Sequence, residues 1–600
     1  MIQIKDLCFQ YGDHKALDGI NLEIREGEWI AVMGANGSGK TTLARCLNGL
    51  LLPTGGDVLV DGYSVSDEAS LWDVRKRIGM VFQNPDNQIV STMVEREIAF
   101  GLENLGIPTD AMHERVQEAL VRFDLMKYRR HPPHKLSGGE KQRLAIASVW
   151  AMRPQVMVLD EPSSLLDPKG RREIAEILRS LDAAGGQTIL HITQFPEEAM
   201  LARRVLIMSA GKIVMDGPPE AIFCQVAVLE HLGLDVPFAV RLADMLRAEG
   251  IELSDGMPNE DTLIRTLELL PWTTGSVRER ESGTVGVSPS RAPSLPSSSR
   301  GKGFNISLEG ISYWYNRGLP MALKALSEVT ATIEKGQFVA LIGPTGSGKS
   351  TLMQHFNGLL KPSDGRVLLD GIDLWSEEGK LQKVPGRVGL VFQFPEFQLF
   401  EESVAKDVAF GPRNLGWTTD RVNSSVEKAL TAVGLDVAQF GPRSPMALSE
   451  GEKRRVAIAG ILAMEPDVLA LDEPTSGLDP RGARQIVSLL KALHAQGRTI
   501  VLISHDMDLV AEVAESVMVL DGGRLWACDT PEAVFGKVME SEDIGLEIPR
   551  TVRFHEALSA HGISWGGGVP MTMKALSNQI VEAFRGTSGE GKESAHIVRT

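Results

Sequence analysis

The stretch GANGSGKT, from Gly34 to Thr41, decides the fold of the first half of this chain. It has the pattern GxxxxGK[ST], and it lies between the apolar run WIAVM and the helix-like stretch TLARCLNGLL. Glycines between a strand and a helix let backbone N–H groups surround phosphate oxygens at the helix N-terminus, where the helix dipole favours an anion. The pattern therefore predicts a phosphate-binding loop in an α/β domain.

The same motif returns as GPTGSGKS, from Gly343 to Ser350, and its surroundings return with it. VFQNPDNQ is matched by VFQFPEFQ, and VMVLDEPSSLLDP by VLALDEPTSGLDP, in the same order and at nearly constant spacing. A repeat of this length indicates duplicated domains rather than a solenoid. Runs such as VMVLD and TIVLIS predict buried parallel strands, and RREIAEILRSLDAAG and RGARQIVSLLKALHAQG predict crossover helices. We expect an α/β fold with its chemistry at the carboxyl ends of the strands.

Composition narrows the class of protein. A chain of 600 residues is too long for one hydrophobic core. It has no apolar run near the roughly 20 residues that span a bilayer, and its N-terminus lacks a secretory pattern, which predicts a cytoplasmic location. The net charge of −16 argues against non-specific nucleic-acid binding. The four cysteines, without a CxxC pair, are predicted to be structural thiols.

The two loops predict nucleotide binding with a metal ion. Lys40 and Lys349 are expected to reach the β and γ phosphates, and the hydroxyls of Thr41 and Ser350 to hold Mg²⁺. The predicted phosphate-binding residues are Gly34, Ala35, Asn36, Gly37, Ser38, Gly39, Lys40, Thr41 and Thr42 in the first half, and Gly343, Pro344, Thr345, Gly346, Ser347, Gly348, Lys349, Ser350 and Thr351 in the second.

An acidic pair ends a later apolar strand in each half, Asp160-Glu161 and Asp472-Glu473. We expect each aspartate to help hold the metal and each glutamate to polarise an attacking water. A strand-end acid can also simply cap the following turn. The nearly equal distance of both pairs from a phosphate loop favours the catalytic role.

With LSGGE, the VFQ glutamine, DEP and SGLDP all present, both halves resemble ATP-binding-cassette (ABC) ATPases, over nearly the whole chain outside a central linker. VFQNPDNQ with IAFGLENLGI resembles the first ATPase subunit of energy-coupling-factor (ECF) transporters, and VFQFPEFQLFEESVAKDVAFGPRNLG resembles the second. The resemblance implies two tandem P-loop domains, each with a helical signature subdomain and a small C-terminal extension.

The predicted domains follow from the repeat, the linker and this resemblance. Residues 273–303, rich in Ser, Pro, Gly and Arg, are expected to form a flexible linker because they have too few large apolar side chains to bury. The first ATPase domain is placed at 1–224 with its extension at 225–272, and the second at 304–536 with its extension at 537–600.

The resemblance also assigns roles to single residues. Gln83 and Gln393 match the glutamine that contacts Mg²⁺ and senses the γ-phosphate, and His505 matches the switch histidine. Tyr11 and Tyr315 match the aromatic residue that stacks on adenine, although a core tyrosine is a rival interpretation for each.

ABC ATPases pair head to tail, so the resemblance implies that each nucleotide also contacts the signature of the other half. The implied signature contacts are Ser137, Gly138 and Gly139 in the first half, and Ser449 and Gly451 in the second. Asp167 and Asp479 match the loop that contacts the opposite half.

Two departures from the family pattern fall in one implied composite site. Gln194 stands opposite His505, and Glu450 replaces the glycine found at Gly138. A neutral glutamine cannot carry the charge that stabilises a transferring phosphate. A carboxylate at 450 would repel phosphate, unless Glu450 turns outward. We therefore predict asymmetric sites, with the Lys349 site the more active.

The leading functional hypothesis is the ATP-hydrolysing motor of an ECF-type uptake transporter for vitamins or trace metal ions. The implied partners are a transmembrane coupling subunit and a substrate-binding membrane subunit, which would hold the chain at the cytoplasmic face of the membrane. One alternative is a soluble ribosome-associated tandem ATPase, which the SSLLD and TSGLD stretches disfavour. The other is the motor of a conventional ABC importer.

Overall fold

The computed structural model describes residues 2–253, 256–270, 303–319, 321–377, 384–393, 398–541, 544–563, 565 and 568–585. They belong to two compact units, one comprising Met1–Val240 and Ser476–Gly482, the other Arg241–Thr475 and Ala483–Thr600. The predicted linker 273–303 lies outside the described residues except for Gly303, and so does the side chain of Glu450. The domain boundaries that the sequence predicts stay predictions.

The first half is built around a six-stranded sheet. In spatial order its strands are Lys212–Gly217, Arg204–Ser209, Trp29–Met33, Thr188–Ile192, Val156–Asp160 and Ile78–Val81. The strand Trp29–Met33 is parallel to both of its neighbours, and all five of its residues are buried. Uninterrupted apolar strands are expected where helices cover both faces of a parallel sheet. The predicted buried strands are confirmed.

The second half repeats this sheet. In the same spatial order its strands are Arg524–Asp529, Ser516–Asp521, Phe338–Ile342, Thr499–Ile503, Val468–Asp472 and Val388–Val391. Phe338–Ile342 is again parallel to both neighbours and fully buried. The predicted α/β fold with a duplicated domain is therefore confirmed.

A four-stranded antiparallel sheet accompanies each main sheet. Its strands are His14–Ile24, Ile2–Tyr11, Gly55–Val60 and Tyr63–Ser64 in the first half, and Leu323–Ile333, Ile306–Tyr315, Asp364–Leu369 and Ile372–Asp373 in the second. In each half one hydrophobic cluster takes residues from both sheets and from the helix after the phosphate loop. The loop is thus held between two sheets that share a core.

Helices complete both halves. In the first half they are Lys40–Leu47, Leu71–Arg77, Val94–Asn104, Thr109–Arg122, Gly138–Ala151, Pro168–Ala184, Pro196–Ala199, Pro219–Phe223, Val226–His231, Phe238–Ala248 and Glu260–Glu268. In the second half they are Lys349–Phe356, Val384–Arg387, Val404–Asn414, Thr419–Ala432, Val437–Phe440, Glu450–Leu462, Pro480–Ala495, Met507–Val513, Pro531–Glu540, Arg550–Ala560 and Met573–Arg585. Among the described residues, no helix has the length and apolarity needed to cross a membrane.

The crossover helices show why the periodicity was informative. Pro168–Ala184 buries Ile174, Leu178 and Leu181, a spacing of four and three residues that places them on one face. Asp167 caps the N-terminus by accepting a hydrogen bond from Gly170 N at 2.8 Å. Both predicted crossover helices are confirmed.

Helices from the ends of the two halves meet inside the second unit. Glu260–Glu268 packs against Arg550–Ala560, and Arg553 Nη2 donates to Glu260 Oε1 at 3.1 Å. His561 forms a hydrogen bond with Glu268 in the same pairing. Exposed ion pairs of this kind contribute about 0–1 kcal/mol each, so these pairs add little to the stability of the contact.

Candidate functional site

Each phosphate loop encloses its own lysine. In the first half the helix begins at Lys40, which is 5% exposed. Its Nζ donates to the carbonyl oxygens of Gly34 at 2.7 Å and Ala35 at 3.1 Å. Burial lowers the pKa of Lys40, while the charges of Glu161 and Asp160 act in the opposite direction. The carbonyl groups of the loop thus hold the ammonium group inside it.

The second loop has the same geometry. Lys349 is 7% exposed, and its Nζ donates to Gly343 O at 2.8 Å and Pro344 O at 2.9 Å. The first N–H groups of the helix Lys349–Phe356 have no acceptor within the helix, so they are available to an anion. The two predicted phosphate loops therefore hold their lysines in the same way, although Pro344 lacks the backbone N–H that Ala35 has at the matching position.

Glycine is required at the position before each lysine. Gly39 has φ 103° and Gly348 has φ 98°, values in the left-handed region that side chains disfavour. A Cβ on Gly39 would lie 2.6 Å from the carbonyl oxygen of Ala16, and one on Gly348 would lie 2.6 Å from that of Ala325. A side chain at either position would push the loop away from its supporting strand.

A hydroxyl and a carboxylate meet beside each loop. Thr41 Oγ1 donates to Asp160 Oδ1 at 3.0 Å, and Ser350 Oγ donates to Asp472 Oδ2 at 2.6 Å. Burial raises the pKa of both aspartates, and the hydroxyl bonds oppose that rise. Within the described ranges, no cluster of three or more His, Cys, Asp and Glu side chains forms a protein-only metal site. One carboxylate and one hydroxyl fit Mg²⁺, which commonly takes its remaining ligands from phosphates and water.

Glu161 follows the strand Val156–Asp160 in a left-handed conformation, with φ 48°. Its carboxylate oxygen Oε2 accepts hydrogen bonds from Gln194 Nε2 at 2.7 Å and from Gln83 Nε2 at 3.2 Å. Lys40 Nζ lies 3.8 Å from the other oxygen, Oε1. The carboxylate of the first half is therefore engaged by two neutral amide groups and faces a lysine.

Glu473 follows the equivalent strand with φ 49°, but its surroundings differ. His505 Nε2 lies 3.5 Å from Glu473 Oε1, and that buried oxygen accepts no hydrogen bond from any described residue. Burial, with the neighbouring charge of Asp472, raises the pKa of Glu473 to about 8, and Lys349 opposes the rise. In its ionised form this carboxylate has an oxygen, Oε1, that can accept a proton.

Comparison with known proteins defines the family. The family model described as ABC transporter matches residues 17–164 and 326–476. A relative from Caldanaerobacter subterraneus subsp. tengcongensis, named as an ABC transporter ATP-binding protein, is 36% identical over 570 residues, which cover 93% of this chain and 96% of that protein. The chain belongs to the family of ABC transporter ATP-binding proteins.

Other relatives match either nearly the whole chain or about half of it. An ABC transporter ATP-binding protein of Methanosarcina acetivorans is 35% identical over 569 residues, covering 92% of this chain and 89% of that protein. The energy-coupling factor transporter ATP-binding protein EcfA1 of Clostridium novyi is 45% identical over 272 residues, covering 44% of this chain and 97% of that protein. The present chain thus contains two ABC ATPase domains, which bind ATP and couple its hydrolysis to transport.

The tyrosines expected at adenine lie on the surface of the ABC domains. Tyr11 is 46% exposed and packs edge-on against Phe9, with ring centroids 4.8 Å apart. Tyr315 is 37% exposed, and its hydroxyl lies 3.1 Å from Thr351 Oγ1 in the phosphate loop. Neither is a core side chain, and stacking on adenine stays a prediction.

The signature serines begin the helices of the ABC signature subdomains. Ser137 accepts a hydrogen bond from Glu140 N, and Glu140 Oε2 accepts one from Ser137 N at 2.8 Å. Ser449 and Glu452 form the same reciprocal pair. This capping box could have been predicted from the sequence, because Ser is followed three residues later by Glu in both signatures.

Asp479 contacts the first phosphate loop within the first compact unit, to which Ser476–Gly482 belongs. Its Oδ2 accepts from Asn36 N at 2.9 Å, and its Oδ1 accepts from Gly482 N at 2.7 Å. The equivalent Asp167 caps its own helix in the same way.

Sequence reasoning missed Arg454 in these ABC domains. Arg454, on the signature helix Glu450–Leu462, donates to the backbone of Glu473 and Gln393. Comparing the halves position by position would have marked it. From the sequence, His191 is a weak alternative to Gln194 as the substitute for the switch histidine, because it lies three positions earlier. The structure buries it beside Glu198.

Proposed function

We propose that the chain is the ATPase motor of an ECF-type transporter that takes up vitamins or trace metal ions. The observation that carries the proposal is a pair of complete phosphate sites, together with 45% identity to a Clostridium novyi ECF ATPase over 97% of that protein. The partners would be a transmembrane coupling subunit and a substrate-binding membrane subunit, with the motor at the cytoplasmic face of the membrane.

At the Lys349 site the loop residues would bind the ATP phosphates, and Ser350, Gln393 and Asp472 would hold Mg²⁺. The metal would supply charge neutralisation on the β and γ phosphates. Glu473 would accept a proton from the attacking water, since its Oε1 is unoccupied by other donors among the described residues. His505, next to Glu473, would donate to the γ-phosphate.

At the Lys40 site Thr41, Gln83 and Asp160 would take the metal-binding roles, with Glu161 as the residue that polarises water. The amide groups of Gln83 and Gln194 both donate to Glu161 Oε2, so a proton taken up at that oxygen must displace a hydrogen bond, while Lys40 Nζ lies 3.8 Å from Oε1. Gln194 also lacks the positive charge that a histidine can supply. We therefore propose that this site binds ATP and turns over more slowly than the Lys349 site.

The two halves would pair head to tail, with each nucleotide contacted by the opposite signature. Ser137, Gly138 and Gly139 would complete the Lys349 site, and Ser449 and Gly451 the Lys40 site. The hydrogen bond from Asn36 N to Asp479 supports this pairing, because it joins a phosphate loop to a segment of the other repeat.

Exposed apolar side chains support docking of a membrane partner. Val90 and Phe100 of the first half are 63% and 46% exposed, and the matching Phe400 and Phe410 are 59% and 41% exposed. Phe400 and Phe410 also contact each other, with ring centroids 4.7 Å apart. Large apolar side chains exposed at matching positions in both halves are typical of a surface that binds a partner.

Steady-state ATPase assays of Glu473→Gln and Glu161→Gln test the asymmetry. Because a positioned base contributes about 10²–10⁴-fold, Glu473→Gln is expected to lower kcat by roughly 100-fold and Glu161→Gln by only about 2-fold. Equal losses contradict the asymmetry, and a larger loss in Glu161→Gln reverses it.

Affinity purification of the tagged chain from detergent-solubilised membranes tests the transporter assignment. Recovery with two integral membrane proteins supports an ECF-type assembly. Recovery with one large permease identifies a conventional importer, and recovery with ribosomes and no membrane protein contradicts a transport role.

A further inference from the structure

Arg454 is a buried cation that the mechanism above does not use. It lies on the signature helix Glu450–Leu462 and is 8% exposed. A buried guanidinium group is costly unless its donors are satisfied, so its acceptors indicate what it does. Two of these acceptors are backbone carbonyl oxygens on two separate loops of the second half.

The first acceptor is the carbonyl of Glu473, which Arg454 Nη1 reaches at 2.5 Å. The second is the carbonyl of Gln393, which Nη2 reaches at 2.8 Å. These residues are the proposed water-activating glutamate and the proposed metal and γ-phosphate sensor. One planar guanidinium thus fixes the spacing between two loops that flank the Lys349 site.

The backbone at Glu473 needs such support. Its φ of 49° lies in the left-handed region, where a side chain is strained and persists only when the surroundings hold it. Glu473 N donates to Ile503 O at 3.0 Å, which holds one end of the residue. Arg454 holds the other end, so the direction of the carboxylate is set by two bonds to the backbone.

In the first half, the left-handed backbone at Glu161 is supported without an arginine. Its matching residue is Gln142, 1% exposed, whose Nε2 is buried with no hydrogen-bond partner in the described part of the chain. The carbonyl of Glu161 is instead bonded by Ser164 Oγ at 3.0 Å. The first half joins its two loops through the side chain of Gln83, which donates to Glu161 Oε2 and Ser164 Oγ, whereas the second half joins the two backbone carbonyls through Arg454.

We propose that Arg454 is a positioning residue for ATP hydrolysis at the Lys349 site. It sets the distance between the Gln393 and Glu473 loops, so that metal, γ-phosphate and attacking water are aligned together. The proposal rests on the proposed function of that site. It assigns Arg454 no contact with nucleotide.

The test compares Arg454→Gln, which installs the residue of the first half, with Arg454→Lys, which keeps the charge but lacks the planar fork. Since a displacement of about 1 Å can cost 10²-fold, Arg454→Gln should lower kcat by about 10- to 100-fold. ATP affinity, measured with a fluorescent ATP analogue, should change by less than about 3-fold, and Arg454→Lys should recover part of kcat. Arg421→Gln, an exposed arginine paired with Glu465, is the control.

Each substitution is made in the wild-type chain and in the Glu161→Gln background. If that background is already inactive, the proposed asymmetry fails, and the wild-type background alone tests Arg454. An unchanged kcat in Arg454→Gln overturns the proposal. A parallel loss of ATP affinity, kcat and melting temperature also overturns it, in favour of a purely structural role.

Discussion

His191 and Glu198 form a buried pair at the turn that carries Gln194. His191 Nε2 lies 3.4 Å from Glu198 Oε2, and the two residues are 1% and 8% exposed. The second half has Leu502 and Leu509 at the matching positions, 0% and 7% exposed. The changes His191→Leu and Glu198→Leu, alone and together, therefore give the first half a packing that the chain already uses.

The expected change in the free energy of unfolding follows from the hydrogen-bond partners of the Glu198 carboxylate. Glu198 Oε2 accepts from Thr193 Oγ1 at 2.6 Å, whereas Oε1 is buried with no hydrogen-bond partner among the residues described. Removing His191 alone leaves the buried carboxylate without its basic neighbour, a change that costs about 3–5 kcal/mol. Replacing both residues also removes the charge, and such replacements are neutral or stabilising by about 1–4 kcal/mol.

The pair also predicts a pH dependence. Burial acts to raise the pKa of Glu198, but the hydrogen bond and charge of His191 hold it below its ordinary value of 4.5. Because the unfolded chain binds this proton more tightly, the stabilisation is complete above about pH 4.5 and is lost as the pH falls through the folded-state pKa. The double leucine variant lacks this loss, so its stability relative to wild type increases in acid.

Calorimetric unfolding of the full chain near neutral pH measures these effects. For a unit of this size, a loss of about 3 kcal/mol lowers Tm by roughly 6–12 °C, which is expected for His191→Leu. The double variant should melt within about 3 °C of wild type or above it, and the exposed His113→Leu should leave Tm unchanged. If the double variant is as unstable as His191→Leu, the buried charge is not the cause and the reasoning fails.

Three further predictions concern the signature, the extensions and the adenine site. Gly138→Glu copies the second signature into the first, at a position with room for a side chain. A carboxylate about 4 Å from a phosphate would be repelled by about 4 kcal/mol, so ATPase activity should fall by more than 10-fold at unchanged Tm. Activity near wild type contradicts the crossed pairing. Arg553→Glu should lower Tm by no more than about 2 °C, and the charge swap Arg553→Glu/Glu260→Arg should restore Tm. A larger fall in Tm would show that the exposed ion pair contributes more to stability than such pairs usually do. Tyr315→Phe should keep the KM for ATP within about 3-fold of wild type, whereas Tyr315→Ala should raise it by about 3- to 10-fold. Equal KM values in wild type and both variants exclude stacking of Tyr315 on adenine.

The fold could be predicted because its determinants are local. The glycines of GANGSGKT and GPTGSGKS fix a turn whose φ values no other residue readily adopts, and the flanking apolar runs have the length of buried strands. Repetition of the pattern excluded chance, and the spacing of apolar residues predicted the crossover helices. The strand order within the sheets was not predicted.

Contacts between distant segments could not be predicted in the same way. The bond from Gln194 to Glu161 joins positions 33 residues apart, and the bond from Arg454 to Gln393 joins positions 61 apart. Each depends on side-chain rotamers that packing selects after the sheet has formed. Sequence comparison of the halves marks such positions as different, but it gives neither the partner nor the direction of the bond.

The differences between the halves act on one chemical feature, the strand-end glutamate. Two amides donate to Glu161 Oε2, and a neutral donor bonded to a carboxylate oxygen competes with the proton that this oxygen would take from water, while Lys40 Nζ lies 3.8 Å from Oε1. Glu473 is held through its backbone carbonyl by Arg454, which leaves carboxylate oxygen Oε1 to the reaction. Support through the backbone orients a base without occupying it, whereas support through the carboxylate orients it at the expense of basicity. The way each glutamate is held therefore supports the proposed slower turnover at the Lys40 site, even if Glu450 turns away from the nucleotide.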